Sequence, residues 1–560
     1  MKLKNILYSM MMGTAVLTGT TSCVSDLDQY PHTETTSKDV YTSLANYEAV
    51  LGKIYAAMVT SGQGKGGDNK DMESVLNKGA GFDYMRMFIN MQECGTDEFA
   101  STWLTGEQTT GLTYLSWDAN DAWVSDMYYR IYYNIALCNE FLRNANSASF
   151  SGADAEKMKE YKAEVRFMRA LFYYHALDFY RNIPMVTEND PVGSYIPPRY
   201  TPQQTFDYIE SELKDCVGDM LPASTCPYGQ ASQGAAYTLL AKLYLNSEVY
   251  TGVAKYAECK EACEKVMSMG YSLESDYSKL FNADNDKRTN EIIFALPVSA
   301  EHTVSWGSST YLVCGQVSMS NANQNVADYG VTAGWSEFRL RPEFVDKFTQ
   351  TDIDGNGDKR CKFFTNGQSK DVTSMTDETA GYLSEKWSNL KDDGTTASNT
   401  GDAGVDTDFP LFRLADVYLM YAECVARTVE DKDKLDDWAG GSDAESDSRK
   451  QGAIYWINKV RERAYGKDEN GNPRGQVWKE NFSSKEAFLQ FILDERAREL
   501  YHEGYRRTDL IRYGQFTTNK YIWQWKGGTH DGQAVDSKYN IYPIPNTELT
   551  ANPNLHNDNY

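Results

Sequence analysis

The sequence carries almost none of the short motifs of the common catalytic and cofactor sites. A formal GxGxxG at residues 62–67 follows a predicted helix and not a strand, so we interpret it as a flexible loop. The sequence contains no GxSxG, HExxH or Walker A pattern, so it gives no sign of a nucleophile-elbow hydrolase, a zinc protease or a P-loop nucleotide site. A glycoside hydrolase needs two carboxylates facing one bond; with 79 acidic residues such a pair is always available, and none stands out. The histidines are scattered, without the spacing of a metal-binding pair: His32, His175, His302, His502, His530 and His556.

Positive charge and long apolar segments are also scarce. The formal net charge is −24, and no basic face stands out of the kind that a nucleic-acid-binding protein needs. We therefore expect no nucleic-acid partner, and a well-solvated surface that suits neutral or cationic ligands. After the N-terminal region, no segment is long and apolar enough to cross a membrane.

The N-terminus has the pattern of a lipoprotein signal peptide. Lys2 and Lys4 make it basic, residues 6–17 are apolar but too few to span a membrane, and small residues then precede Cys23. The pattern is similar to a bacterial lipobox, although Thr20 stands where an aliphatic residue is usual. We predict that residues 1–22 are removed and that Cys23 carries acyl chains, palmitate among them, since more than one chain gives stable anchoring. An ordinary secretory signal with an incidental cysteine is the alternative.

The cysteines give no sign of a disulfide framework or a zinc site. Ten cysteines become nine once Cys23 is lipidated, an odd number that cannot all pair, and no CxxC or Cys/His cluster occurs. Cys259 and Cys263 lie one turn apart on a predicted helix. We expect most of the nine to be small buried hydrophobic residues.

What the chain does contain is helical periodicity. In residues 155–180 two apolar stripes run along one helix, which predicts a helix packed between neighbours. Thr201 and Pro202 have the residue types of an N-cap and a first turn. Helices are predicted over residues 35–58, 121–144, 155–180, 202 to about 217, 234–247, 256–269, 411–427 and 452–465.

Pairs of these helices are predicted to form hairpins of the tetratricopeptide type. Residues 234–247 and 256–269 are joined by a short turn, and small residues on the first helix allow close approach. Residues 411–427 and 452–465 form a similar pair. We predict a mainly α fold, with a hairpin scaffold over about 35–280 and 406–520 that needs no single large core. A loop-rich insertion at about 281–405 interrupts it, and such long loops are usually functional.

The insertion contains a stretch, residues 306–335, with a tryptophan at each end. Small residues flank both Trp306 and Trp335, and Gly, Ser and Asn are too frequent for a buried core strand. Two interpretations remain open. The indoles either cap the core of a loop-rich region, or they form a platform that stacks on the flat apolar face of a ligand.

Two acidic segments are candidate calcium sites. Residues 352–358 match the first half of an EF-hand loop, with glycine at the sixth position, but Phe363 stands where the loop needs its final glutamate. A structural calcium ion and an ordinary solvated turn both fit this segment. A second, weaker candidate lies at residues 284–286. The side chains concerned are Asp284, Asp286, Asp352, Asp354, Asn356 and Asp358.

Segments spread over nearly the whole chain resemble the SusD/RagB family. They occur in the family's order: the lipobox-like cysteine followed by Asp-Leu-Asp, then AEVRFMRALFYY, GAAYTLLAKLYL, ERARELYHEGYRRTDLIRYGQF, YPIP and NPNLHNDNY. Three further segments, STYLVCG, GW and FTTNKYIWQWKGG, are similar to those of a starch-binding member. On these segments the chain is identified as a member of the family, with residues 23–560 as a SusD-like domain.

The resemblance implies a lipoprotein of the outer membrane that faces the cell exterior. Its tetratricopeptide-type helices would carry a shallow glycan site, and it would cap a SusC-like TonB-dependent transporter. Family members bind and deliver a ligand without chemistry on it, so no enzymatic activity and no required cofactor are expected. Oligopeptide capture, as in RagB-like members, is the alternative, and a surface glycoside hydrolase is a more distant one.

The resemblance also implies the residues of the glycan site. Trp306 and Trp335 match two positions of an aromatic arc that follows the helical curve of a glucan in the starch-binding member. Trp103 matches a neighbouring tryptophan of that site, and Arg86 matches an arginine that helps to hold the sugar.

Two departures from that site bear on the ligand. The third arc position falls at Ser101, and a polar side chain after the first tryptophans is lost near Gly106. These departures favour a fructan or a different glucan over starch.

Overall fold

The computed structural model describes residues 37–62, 64, 71–77, 82–401, 404–436 and 450–560. The predicted signal peptide and its Cys23 lie outside these residues. The structure is helix-rich, 47% helical and 6% strand, which confirms the mainly α fold class. Residues 48–560 form one compact unit, and residues 1–47, described from residue 37 onward, form another.

The α-helices whose bounds lie within the described residues are numbered in chain order. They are α1 Ser37–Val40, α2 Leu44–Ala56, α3 Tyr84–Glu93, α4 Thr110–Tyr114, α5 Ala122–Ser147, α6 Ala153–Tyr180, α7 Pro202–Cys216, α8 Gln233–Leu245, α9 Ser247–Thr251, α10 Tyr256–Met267, α11 Ser308–Gly315, α12 Pro342–Val345, α13 Gln350–Ile353, α14 Leu414–Thr428, α15 Ala453–Tyr465, α16 Lys485–Leu500, α17 Arg506–Arg512 and α18 Asn546–Ala551.

The described strands are short and form antiparallel pairs. They are β1 Ala100–Ser101 with β5 Phe338–Arg339, β2 Ile183–Pro184 with β3 Arg199–Tyr200, β4 Ile292–Leu296 with β8 Phe409–Arg413, and β6 Phe363–Phe364 with β7 Leu383–Ser384.

Helix pairs that follow one another along the chain make the scaffold. α6 packs against both α5 and α7, and α8 packs against α10. Every residue of α6 from 167 to 180 is buried, so the prediction of a helix between two neighbours is confirmed. Later in the chain, α14 packs against α10, α15 and α16. The two predicted hairpins therefore adjoin each other through α10 and α14.

Local sequence signals explain where two of these helices begin and how closely they pack. Thr201 caps α7: its hydroxyl accepts a hydrogen bond from the Gln204 backbone N–H at 3.3 Å, and the Gln204 side chain accepts one from the Thr201 N–H at 2.9 Å. On α8, Ala235, Ala236 and Ala241 are fully buried, and the absence of larger side chains allows α10 to approach.

The predicted helix at residues 411–427 begins later than expected. Residues 411–413 belong to strand β8, and α14 starts at Leu414. The run FPLFR is short and apolar, and periodicity cannot distinguish a buried strand of this length from a buried helical turn. β8 pairs with β4, which lies inside the predicted insertion, so this sheet joins the insertion to the scaffold.

The stretch 306–335 is also more ordered than its composition suggests. It contains α11, whose eight residues are all buried and which packs against α3. A helix buried on every side has no polar face, so it shows no amphipathic period in the sequence. The sequence analysis predicted no helix in this loop-rich stretch, and both tryptophans lie outside α11.

All nine cysteines after Cys23 are free thiols in the described residues. Seven are buried, and Cys226 and Cys361 are half-buried, which confirms that most act as small hydrophobic residues. A search of the described helices finds none with the length and hydrophobicity that crossing a membrane requires.

A set of buried charges connects β8, α15 and α16 with the residue before β4, and we call it the ionic cluster. Arg413 contacts three carboxylates: its guanidinium lies 2.7 Å from Glu291, 3.0 Å from Glu499 and 2.8 Å from Glu503. The side chains of the cluster are at most 4% exposed. Its members are Glu291, Arg360, Arg413, Arg463, Glu495, Glu499 and Glu503.

Candidate ligand-binding site

Trp103 and the two tryptophans that bound residues 306–335 surround one open cavity of about 240 Å³. Trp306 is 40% exposed and Trp103 is 39% exposed, while Trp335 is half-buried. Arg86 lies beside them, so the structure brings together all four residues that the resemblance implied. We call this cavity the tryptophan site, and its lining consists of Phe82, Arg86, Trp103, Glu107, Trp306, Trp335 and Glu337.

The N-terminus of α3 fixes the position of Trp306. Asp83 caps this helix, and its carboxylate also accepts hydrogen bonds from the Ser305 hydroxyl at 2.7 Å and from the Ser308 N–H at 3.1 Å. Gly307 approaches so closely that a Cβ atom there would lie 2.1 Å from Asp83 Oδ1. The backbone on both sides of Trp306 is therefore held by a buried carboxylate, while the indole stays exposed.

Backbone pairing brings Trp335 next to Trp103. The Trp335 N–H donates to the Cys314 carbonyl at the end of α11, at 2.9 Å. β5 begins three residues later and pairs with β1, and the Thr102 N–H donates to the Glu337 carbonyl at 2.8 Å. Because Trp103 directly follows this bond, the pairing of β1 with β5 sets its place beside Trp335.

The guanidinium of Arg86 lies at the base of the site. It donates a hydrogen bond to the Trp306 carbonyl at 2.8 Å and another to the Glu107 carboxylate, and it lies 3.6 Å from a Glu337 oxygen. Its Cζ atom also lies 4.2 Å from the centre of the Tyr311 ring. The Arg86 side chain is only 2% exposed, so ligand contact at this depth is restricted.

The two carboxylates of the site have different surroundings. Burial raises the pKa of Glu337 to about 8, with Arg86 lowering it and Glu107 raising it further. Among the described residues, Glu337 Oε1 has no hydrogen-bond partner. The Glu107 side chain is more exposed, at 14% against 2% for Glu337. The site can thus stack indole faces on a flat ligand and accept hydrogen bonds from its hydroxyl groups.

Sequence reasoning missed three residues of the site: Phe82, Glu107 and Glu337. Phe82 and Glu107 each lie four positions from a predicted site residue, a spacing that could have suggested them. The Phe82 ring stacks on Trp123, with centroids 5.6 Å apart, which supports one side of the cavity. Nothing in the sequence distinguishes Glu337 from the other acidic residues, of which the chain has 79 in all.

The two departures at Ser101 and Gly106 have different structural meanings. Ser101 lies in β1 and is fully buried, with its hydroxyl 3.0 Å from that of Thr109. An aromatic side chain at this position would have to displace a buried hydrogen bond. Gly106 is exposed, and a Cβ atom there would lie 3.9 Å from the Trp103 ring. The third indole of the site is therefore that of Trp103.

Acidic side chains in both predicted calcium segments have protein partners. Among the described residues, no group of three or more His, Cys, Asp or Glu side chains could hold an ion. Both carboxylate oxygens of Asp358 accept hydrogen bonds from Arg360, at 2.9 and 2.6 Å. Asp352 caps α13 with Thr349, and Asp284 pairs with a neighbouring lysine. The calcium site at Asp284, Asp286, Asp352, Asp354, Asn356 and Asp358 stays a prediction, and the protein partners of Asp284, Asp352 and Asp358 favour the alternative of ordinary turns.

Comparison with known proteins gives matches over most of the chain. A model of the SusD family matches residues 362–560, and a model described as starch-binding and associating with the outer membrane matches residues 27–245. The starch-binding protein SusD of Bacteroides thetaiotaomicron is 32% identical, and the alignment covers 99% of each chain.

Solved structures show the same fold at lower identity. A SusD superfamily protein from Parabacteroides distasonis aligns with a TM-score of 0.66 at 22% identity, over 94% of this chain and 100% of that one. Surface glycan-binding protein A from Bacteroides thetaiotaomicron, solved in complex with laminarihexaose, aligns with a TM-score of 0.66 at 17% identity, over 92% and 99%. These structures have tetratricopeptide-like helical folds, which confirms the predicted hairpin scaffold.

Proposed function

The chain belongs to the SusD family, and from this premise we propose that it is a cell-surface glycan-binding lipoprotein. It captures oligosaccharides or polysaccharides at the tryptophan site and delivers them to a SusC-like TonB-dependent transporter of the outer membrane. The observation that carries this proposal is the convergence of Trp103, Trp306 and Trp335 on one open cavity that also presents two carboxylates.

The chemistry of the site fits a sugar chain. A pyranose or furanose ring has an apolar face that can stack on an indole, and its hydroxyl groups are hydrogen-bond donors for carboxylates. One indole face covering one sugar removes on the order of 100 Å² of apolar surface, or roughly 2 kcal/mol. Two or three faces supply about 4–6 kcal/mol before association costs, which corresponds to affinities of roughly micromolar to millimolar. A polymer that binds many displayed copies gains further by avidity.

The ligand we propose is a neutral glycan other than plain starch. The relatives described above include a starch-binding protein and a protein solved with laminarihexaose. In this chain Ser101 is buried in a strand, so one aromatic side chain of the starch-type arc is absent and the curvature of the aromatic surface differs. This difference favours a fructan or a differently linked glucan.

SusD proteins are carbohydrate-binding proteins and not enzymes. The tryptophan site agrees with a binding role, because Glu107 and Glu337 both lie against the Arg86 guanidinium. A carboxylate held in this way is poorly placed to act as a free general acid or base.

A glycan array followed by calorimetry tests the proposed ligand class. We expect binding of one or more neutral polysaccharides with weak single-site affinity and no release of reducing ends. If peptides bind and every polysaccharide fails, the oligopeptide alternative replaces the proposal. Reducing ends released by the pure protein would instead revive the hydrolase alternative.

Membrane attachment and delivery need a separate test in cells. Cys23→Ala should move the protein out of the outer-membrane fraction and abolish incorporation of a palmitate analogue, whereas Cys361→Ala should do neither. Purification of the wild-type protein from solubilised membranes should also recover a TonB-dependent transporter. A membrane-bound Cys23→Ala protein would contradict the proposed anchor.

A further inference from the structure

One arginine contacts each of the three segments that carry a site tryptophan. Arg86 donates to the backbone carbonyl of Trp306 itself. It bonds Glu107, four residues after Trp103, and it lies 3.6 Å from Glu337, two residues after Trp335. The segment of Trp103 is about 200 positions from the other two, which bound residues 306–335, and Arg86 lies on a further element, α3.

The guanidinium has little capacity left for a ligand. Its Nη1 and Nη2 atoms both have protein partners, and its Cζ atom lies 4.0 Å from the Phe82 ring and 4.2 Å from the Tyr311 ring. Nε is buried and has no partner among the described residues, and the whole side chain is only 2% exposed, so the N–H groups not yet bonded are shielded from a ligand. An arginine that held a sugar directly would need an accessible donor.

We propose that Arg86 is a positioning residue that sets the spacing of the three indoles and does not itself bind the glycan. The proposal rests on the proposed function only for the identity of the ligand. It replaces the expectation, drawn from the family resemblance, that Arg86 helps to hold the sugar. Glu107 and Glu337 act with it, since each transmits the position of Arg86 to a tryptophan-bearing segment.

The physical reason is pre-organisation. A glycan that spans several indoles binds well only if the rings already have the spacing of successive sugars, because ordering loops on binding costs affinity. Loss of Arg86 leaves two carboxylates facing each other without their cation, and each segment can then move. A disaccharide that stacks on one indole does not depend on the spacing, whereas a hexasaccharide does.

The first test uses the protein without any glycan. Arg86→Lys keeps the charge, but a single amine cannot reach three partners in the guanidinium geometry. With fluorine-labelled tryptophan, the NMR signals of Trp103, Trp306 and Trp335 should all shift or broaden in this variant. Arg169→Lys is the matched control, because Arg169 is also buried and also pairs with two carboxylates, Glu188 and Glu212. In this control the NMR signals of the three site tryptophans should be unchanged.

The second test compares short and long probes by calorimetry. For Arg86→Lys we expect an affinity loss of roughly 10- to 100-fold for maltohexaose or laminarihexaose and less than about 3-fold for the matching disaccharide. Glu107→Gln should give a smaller loss with the same length dependence, and it serves as the second variant if Arg86→Lys fails to fold. Arg169→Lys should bind both probes as the wild type does.

The two tests separate this inference from the proposed function. Unchanged indole signals in Arg86→Lys, together with equal losses for short and long probes, would overturn the inference and assign Arg86 to the ligand. If the wild type binds no glycan at all, the proposed function fails, but displaced indole signals in Arg86→Lys would still support the positioning role.

Discussion

The tryptophan site and the ionic cluster are both built around an arginine that contacts several carboxylates, yet they differ in charge balance and exposure. In the ionic cluster, Glu499 faces three arginines, and these lower its pKa to about 2 despite complete burial. In the tryptophan site, one arginine faces two carboxylates, and burial raises the pKa of Glu337 to about 8. The ionic cluster therefore stabilises the charged form of Glu499, whereas the tryptophan site does not stabilise the charged form of Glu337.

This difference follows from what each region does. The ionic cluster connects β8, α15 and α16, and charges taken fully out of water must be paired completely. The tryptophan site is open to solvent on one side, and there the more exposed carboxylate, Glu107, can accept hydrogen bonds from a ligand while Glu337 favours its protonated form. We expect substitutions in the cluster to act on stability and those in the site to act on binding.

The largest effect is expected for Arg413→Met in the ionic cluster. In the wild type the Arg413 guanidinium contacts Glu291, Glu499 and Glu503, and this change removes that cation. Breaking a buried ion pair costs about 3–5 kcal/mol. Urea denaturation should show this loss, while the glycan affinity of the folded fraction stays unchanged. Lys159→Met, which breaks an exposed pair with Asp219, is the control and should change stability little. Wild-type stability in Arg413→Met would remove the contrast between the two regions.

Trp306→Ala should show the opposite behaviour. Loss of one indole face removes about 2 kcal/mol of binding energy, or roughly 30-fold in affinity. The free energy of unfolding should change by less than about 1 kcal/mol, because Trp306 is exposed at the surface of the cavity and not part of the core. Calorimetry and thermal denaturation measure both quantities, and Trp335→Ala should behave similarly. Trp456→Ala, at a half-buried tryptophan on α15, should leave binding intact. A large stability loss in Trp306→Ala would support the core-capping interpretation.

Gly307→Ala should damage the site without touching an indole. The added Cβ would lie 2.1 Å from Asp83 Oδ1, so the carboxylate must move and release Ser305 and Ser308. We expect glycan affinity to fall roughly tenfold, since the indole position is lost. Gly52→Ala on α2 has open space around its Cβ and should stabilise the protein by up to about 1 kcal/mol. Unchanged affinity in Gly307→Ala would show that Asp83 does not fix Trp306.

The pH dependence of stability separates the two regions in a different way. Because the pKa of Glu337 in the folded protein, about 8, exceeds its ordinary value of about 4.3, the folded state binds this proton more tightly than the unfolded state. Its stabilising contribution is complete below the ordinary pKa and is lost as the pH rises through about 8. Denaturation of the wild type and Glu337→Gln between pH 5 and about 9 should show the variant gaining relative stability as the pH rises. A difference that does not vary with pH would contradict the raised pKa.

The smallest effect is expected from removing divalent cations. Asp358 is bonded to Arg360, and Asp352 caps a helix, so neither carboxylate is free to bind an ion. EDTA should leave the melting temperature and the glycan affinity unchanged. A fall in melting temperature that calcium reverses would restore the metal interpretation.

The sequence predicted the scaffold well because its signals are local. The two apolar stripes of α6, the cap at Thr201 and the small residues of α8 each state a requirement within a few turns of one helix. It failed at β8 and α11, since both are short and buried on every side, and such segments have neither an amphipathic period nor enough length to identify them. The same limit applies to the ionic cluster, whose members come from β8, α15, α16 and the turns between elements.

By itself, the sequence determined the fold class, the helix pairs and, through family resemblance, four residues of the candidate site. Only the tertiary structure decided what Arg86 contacts, that Ser101 is buried, and that Glu107 and Glu337 belong with the tryptophans. The physical reason is that these facts depend on contacts between residues up to 251 positions apart, from Arg86 to Glu337. Helix propensity and capping act over a few residues, whereas the distances between three indoles are fixed by strand pairing and by one buried guanidinium.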